Sequence, residues 1–230
     1  MLTFYYNGAP NPLKVALFLE ESGLPYEPVP VDTRRGDQHT PAFRAINPNA
    51  KVPAIVDDGV AVFDSNAILL YLAEKTGLFL PEEGRAARAA LLSWLMFVAS
   101  GVGPYSGQAV HFRHFAKGDT SYGRKRYHFE ARRHWGIVED RLAAGRYMLG
   151  DRYTIVDMAV WGWASRIPFM LGDDGAMAHF PNIRRLMDEI GARPAAQRAL
   201  DLSKRHTFKA ELDEDAMRNL YPQMFAPDPA

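Results

Sequence analysis

The chain has 230 residues, 27 Lys and Arg against 27 Asp and Glu, and an apolar share of 47%. At roughly 100–200 residues per domain this makes one large domain or two small ones, enough to bury a full core without covalent staples. Formal neutrality offers no one-signed field to nucleic acid or anionic lipid, and the lack of any cysteine excludes a disulfide framework, thiolate zinc sites, CxxC redox motifs and a cysteine nucleophile. The start, MLTFYYNGAPNP, has neither the basic nor the apolar region of a signal peptide, and no unbroken apolar run nears the roughly 18–20 residues of a membrane span. The expectation is a compact cytoplasmic protein that binds neither membrane nor nucleic acid.

Leu2–Tyr6 is rich in Phe and Tyr and ends at the turn cluster Asn7-Gly8-Ala9-Pro10, which predicts a buried strand. Pro12 to Ser22 reads as a helix with Pro at its first position, Asn11 as its N-cap and Gly23 just past its end. Tyr26–Val31 resumes as a strand, placed at a sheet edge by Pro28 and Pro30. A short helix follows at Pro41–Ile46. Ala54–Val56 and Val60–Phe63 flank Asp57-Asp58-Gly59, a strong hairpin signal, and Ser65–Thr76 is helical up to Gly77. The order is βαβαββα over residues 1–80.

Residues 81–86 read as a linker, beyond which no strand pattern appears. Helical periodicity recurs at Arg85–Ser100, Arg124–Ala143, Ile155–Ile167, Ile183–Ala192 and Ala195–Lys204. Between 101 and 123 the Gly- and Ser-rich text marks a loop or an interrupted helix. The organisation expected is therefore α+β, with an all-α unit over 87–205 and a surface extension over 206–230.

Candidate chemistry is sparse, and each feature has a plain structural alternative. Asn11 caps a helix, yet its amide can also donate outward at a positively polarised helix start. Asp64-Ser65 caps the helix after the hairpin, yet free N–H groups there and the hydroxyl can capture a carboxylate, with Asp64 open to an ammonium. Thr154-Ile155-Val156-Asp157 is a capping box. His111 and His114 stand three apart with no acid or cysteine to complete a metal site, so no metal centre is expected.

Taken in order, NPNAKVPAIVDDG, FDSNAILLYLAEKTG and the TIVD box before MAVWGW resemble the cytosolic glutathione transferase superfamily over residues 1 to about 205. Asn11, GDQ at 36–38, NAILLYLAEKTGLFL and GPYSGQAVHFRH are similar to the bacterial nu class and the related yeast nitrogen-catabolite regulator. The resemblance implies a thioredoxin-like N-terminal domain, an all-helical C-terminal domain, a homodimer, and glutathione as co-substrate with no prosthetic group. It implies that Val52, before a Pro53 expected to be cis, pairs its backbone with the cysteinyl unit. Asp64 and Ser65 would then hold the γ-glutamyl end, Gln38 and Lys51 the glycyl end, and Arg132 would reach glutathione from its own or the partner subunit. Asn11 would stabilise the thiolate, with a Tyr5 or Tyr6 mechanism as the alternative. Tyr105, His111, Phe112 and Phe169 are the candidates for the second-substrate pocket, which takes a small electrophile or a disulfide.

Two departures bear on the chemistry. Ala9 stands where most nu-class relatives carry Thr, and Pro12 replaces a small residue and removes an N–H. A thiol of pKa about 8.5 needs roughly 2.7 kcal/mol to drop two units. One hydrogen bond to the anion supplies about 1.5–3 kcal/mol, and a helix start about 0.3–1. Asn11 with its helix is thus sufficient in principle. Without cysteine, any disulfide reduction must draw both thiols from glutathione. The alternatives are a non-catalytic glutathione-binding regulator and a specialised glutathione-dependent lyase or isomerase.

Overall fold

A computed structural model describes residues 1–226, so the last four residues of the expected 206–230 extension lie outside the described residues. Strand β1 (Leu2–Tyr6) alternates, sending Leu2, Phe4 and Tyr6 into the core. It is followed by α1 (Pro10–Ser22), β2 (Tyr26–Pro30), α2 (Pro41–Ile46), β3 (Ala54–Asp57), β4 (Val60–Phe63) and α3 (Ser65–Thr76). The sheet order is β2-β1-β3-β4, with β1 parallel to β2 and the other pairs antiparallel. This is the thioredoxin-like βαβαββα arrangement. Pro28 and Pro30 are tolerated because β2 is an edge strand. The β3–β4 turn has φ of 47° at Asp58 and 87° at Gly59, the double left-handed turn that matches the twist of a hairpin.

The rest is helical: α4 (Arg85–Phe97), α5 (Gly103–His114), α6 (Ser121–Ala143), α7 (Ile155–Ala164), α8 (Ile167–Leu171), α9 (Pro181–Gly191), α10 (Pro194–Leu202) and α11 (Glu214–Leu220). Of the loop or interrupted helix expected over 101–123, the structure has the interruption at its start and a short loop near its end, with α5 between them. A π-helical turn, Val98–Val102, joins α4 to α5, and only the segment before Ser121 is loop. Gly101 serves close approach here, since a Cβ on it would lie 2.6 Å from the His134 ring. The joined run Arg85–His114 is 30 residues, with a best window of mean hydropathy 1.4, so it is long and apolar enough to cross a bilayer by length and composition. This departs from the expectation that no apolar run nears the length of a membrane span. In the fold Leu91, Leu95, Val98 and Val102 of this run are buried in the core.

One apolar cluster runs from Leu2 to Leu202 and takes in both halves of the chain. Helix α1 lies at its centre, packed against α3, α7 and α10. Gly162 of α7 makes this possible: a Cβ there would lie 2.6 Å from Lys14 Cγ and 2.7 Å from the Pro10 carbonyl oxygen. Because one obstacle is backbone, Gly162→Ala is expected to cost about 2–3 kcal/mol of stability by overpacking. Urea denaturation checks this, and a loss under about 0.5 kcal/mol would show that the helices separate freely.

Candidate functional site

Strand register gathers the functional segments at one end of the sheet. Ala54, the first residue of β3, faces Tyr5 of β1 on one side and Phe63, the last residue of β4, on the other. The turn leading into α1, the Val52–Pro53 bond and the Asp64–Ser65 entry to α3 are therefore neighbours, although they span more than fifty residues of sequence. The Val52–Pro53 bond is cis. Among the described residues the Val52 backbone N–H and C=O have no hydrogen-bond partner, so both are free to pair with an added strand.

Helix α1 begins two residues earlier than the sequence suggests. Ala9 is its N-cap, Pro10 its first residue, and no side chain caps it. Asn7 Oδ1 instead accepts from the Ala9 N–H at 3.0 Å and holds the entry turn. Asn11, at the second helical position, is thus not the cap. Its Oδ1 accepts from Trp163 Nε1 at 2.9 Å. The indole can only donate, which fixes the amide: oxygen toward α7, NH2 free. Pro10 and Pro12 carry no N–H, so Asn11 supplies the only backbone donor of the first three helical residues as well.

The tyrosine alternative finds no support in this geometry. Tyr6 is buried, donates to the Leu202 carbonyl at 3.2 Å, and burial raises its hydroxyl above the ordinary value. Tyr5 packs edge-on against Phe43, on the opposite face of the sheet.

At the start of α3, Asp64 caps the helix, its Oδ1 accepting from the N–H groups of Asn66 at 2.9 Å and Ala67 at 3.2 Å. Its φ of 69° is a left-handed conformation that a non-glycine residue adopts at a cost of order 1–3 kcal/mol, a form of strain that clusters at ligand sites. The carboxylate is exposed and its second oxygen is open. Ser65 is buried, and its Oγ accepts from Lys14 Nζ at 3.3 Å.

A cavity of about 530 Å³ opens beside the β1–α1 turn. Its walls include Ala9, Pro10, Val110, Trp163, Phe169 and Phe208. Of the four aromatic candidates for a second substrate, Phe169 lines it. The other three do not. Tyr105 stacks on His134 at 4.6 Å, Phe112 stacks on Tyr127 at 5.1 Å, and His111 packs against Tyr221, where burial lowers its pKa. All three are spent on packing of α5 against α6 and the C-terminal extension.

That extension reaches the region expected for the glycyl end. Gln38 is buried, and its Nε2 donates to the carbonyls of Thr33 at 3.1 Å and Asn219 at 3.0 Å. Its amide is therefore not presented to an open cleft. Lys209 N–H bonds Asp32 Oδ2 at 2.6 Å, and Arg34 donates to the carbonyls of Lys209 and Ala210. Lys51 is exposed with no acidic partner among the described residues. Arg132 is likewise exposed, on α6, and lines no part of the cavity.

Sequence reasoning missed Trp163 and Lys14. Trp163 carried no signal beyond the aromatic text after the capping box, and its partner is 152 residues away. Lys14 is detectable as the one charge inside the apolar run of α1.

The comparisons agree with this layout. The model of the glutathione S-transferase N-terminal domain matches residues 9–75, and that of the C-terminal domain matches residues 126–189. Disulfide-bond oxidoreductase YfcG of Escherichia coli is 41% identical over 222 residues, covering 94% of this chain and 98% of its own. A glutathione transferase of Burkholderia graminis, solved with two glutathione molecules per subunit, superposes with a TM-score of 0.80 at 39% identity, covering 89% of each chain. One from Pseudomonas putida, solved with one glutathione disulfide per subunit, gives 0.80 at 34% identity, covering 87% of this chain and 91% of that one. With both domain models matched in order along a fold that superposes over most of its length, this chain belongs to the glutathione S-transferase family.

Proposed function

We propose that the protein is a glutathione transferase whose main reaction is glutathione-dependent disulfide reduction. The observation that carries this is the Trp163–Asn11 hydrogen bond, which leaves the Asn11 NH2 free at the start of α1. There it donates to the glutathione sulfur and favours the thiolate. The open backbone of Val52, before Pro53, pairs with the cysteinyl unit. Asp64 takes the γ-glutamyl ammonium and Ser65 its carboxylate, while Lys51 meets the glycyl carboxylate. Gln38 contributes to that end only by holding its loop against Asn219.

The chemistry balances without a protein thiol. The bound thiolate attacks one sulfur of the disulfide, forming a mixed disulfide and releasing the other half as a thiolate that takes a proton. A second glutathione thiolate then attacks the mixed disulfide, giving glutathione disulfide and the second free thiol. The relatives solved with two glutathiones or one glutathione disulfide per subunit support a cleft of that capacity. The same activated thiolate serves conjugation to a small electrophile in the cavity beside Phe169. Exposed Met96 and Phe129, together with an Arg132 remote from this chain's own cavity, support a homodimer in which Arg132 acts across the interface. Light scattering showing only a 25.8 kDa particle at micromolar concentration would oppose that assembly.

The test is a paired assay of hydroxyethyl disulfide reduction and chlorodinitrobenzene conjugation, both driven by glutathione. Reduction well above conjugation is expected. Conjugation dominating would make the protein an ordinary transferase. Silence in both, with glutathione still bound, would favour a regulatory glutathione-binding protein.

A further inference from the structure

Among the described lysines and arginines only Lys14 is buried, at 1% exposure. It forms no ion pair. Its Nζ reaches two neutral groups, both at the start of α3: Ser65 Oγ at 3.3 Å and Asn66 Oδ1 at 3.5 Å. Gly162 closes over its stem from α7. An ammonium without a counter-charge in such a place costs several kcal/mol, and proteins seldom keep one without a use.

The charges around it are committed elsewhere. On α1, Glu20 and Glu21 pair with Arg198 and Arg193. On α3, Glu74 pairs with Arg88 and Lys75 with Asp57. The acid of α7, Asp157, is saturated by Met148 and Thr154, and on α10 Asp201 pairs with Lys204. Only the Asp64 carboxylate, at the cap of α3, acts on Lys14.

We propose that Lys14 is a positioning residue for glutathione, directing the Ser65 hydroxyl outward from beneath α3 and supplying the buried counter-charge for the γ-glutamyl carboxylate. The inference rests on the glutathione reading above and on Ser65 meeting that carboxylate. A charged Lys has three donors and no acceptor, so its contact makes Ser65 Oγ an acceptor and turns the hydroxyl hydrogen toward the ligand. A neutral Lys has a lone pair, accepts that hydrogen, and leaves the carboxylate facing oxygen. The ligand therefore selects the charged form.

Burial holds the Lys14 pKa down at about 7, so near that pH the empty site holds both charged and neutral Lys14. A bound carboxylate raises the pKa again, so binding near pH 7 takes up part of a proton. Affinity then falls as pH rises above 7, because the empty site increasingly holds neutral Lys14.

The probe is S-hexylglutathione, which has no thiol to titrate. Calorimetry at pH 7.0 in PIPES and in imidazole is expected to give heats that differ by the ionisation of a fraction of a proton. Lys14→Met is expected to abolish the uptake and to weaken binding about tenfold at pH 6.5, as for loss of a hydrogen bond to a charged group. Equal heats from the wild-type protein in the two buffers, or uptake that persists in Lys14→Met, would overturn the inference while leaving the glutathione site intact. No binding in either buffer would overturn the glutathione reading itself. If Lys14→Met fails to fold, Lys14→Arg, which stays charged, is expected to abolish the uptake as well, and uptake that persists there would equally overturn the inference.

Discussion

Replacing Asn11 with alanine is expected to lower glutathione-dependent turnover by about ten- to hundredfold, with glutathione affinity within about threefold. The size follows from the helix start around it. Pro10 and Pro12 remove two of the first three N–H groups of α1, so the helix offers little beyond the Asn11 N–H. In the proposed mechanism the side-chain NH2 then carries most of the thiolate stabilisation, and one hydrogen bond to an anion is worth about 1.5–3 kcal/mol. Affinity is expected to move less because the proposed γ-glutamyl and cysteinyl contacts, from Asp64, Ser65 and Val52, are left in place by the substitution.

Trp163→Phe separates the donor from its support. It keeps an aromatic ring, smaller than the indole, but removes the N–H that holds Asn11 Oδ1 at 2.9 Å, so the amide is free to flip. The expected loss in turnover is smaller, about three- to tenfold, with a raised pKa for the bound thiol. Ultraviolet absorbance of the bound thiolate across pH reads that value directly. Full turnover and an unmoved thiol pKa in Asn11→Ala would remove Asn11 from the role.

The strands and the β3–β4 hairpin were legible in sequence because alternation, edge prolines and an Asp-Gly turn each have one reading. Asn11 stands out in the sequence as a helix cap, and that local role is the one the structure gives to Ala9. Pro10 and Pro12 both satisfy the first position of a helix, and the choice between them turns on Asn7, which fixes the entry from outside the helix. The aromatic candidates fared worse for a different reason. The π-helical turn at Val98–Val102 joins α4 to α5, and which way each α5 side chain faces is set by packing against α6, a partner distant in sequence. Tyr105 and Phe112 thereby face α6 and not the cavity. Gln38 illustrates a third limit. What occupies it is the backbone carbonyl of Asn219, a group every residue carries and no side-chain pattern announces.

The largest effect on stability is expected from Asp157→Ala, a loss of about 3–5 kcal/mol. Asp157 is fully buried at the start of α7. Its Oδ1 accepts from the Met148 N–H at 2.7 Å, and its Oδ2 from the Thr154 N–H at 2.8 Å and hydroxyl at 3.1 Å. The capping box is thus extended by a third segment: the carboxylate ties the loop after α6 to the first turn of α7. Alanine leaves these donors without partners where no water enters, and each unsatisfied group costs about 1–3 kcal/mol. That exceeds the roughly 1 kcal/mol of an ordinary exposed cap. Burial also pushes the Asp157 pKa up to about 6, above its unfolded value, so between those two values the native state holds more protons than the unfolded chain. The contribution of this group is therefore greatest at low pH and declines as pH rises through about 6. Urea unfolding of wild type and variant at pH 5.0 and 7.5 is expected to show the larger gap at pH 5.0. A gap under about 1 kcal/mol at both values would mean that the α6–α7 loop repacks and finds other acceptors, and that the buried box does not hold α7 in register against α1.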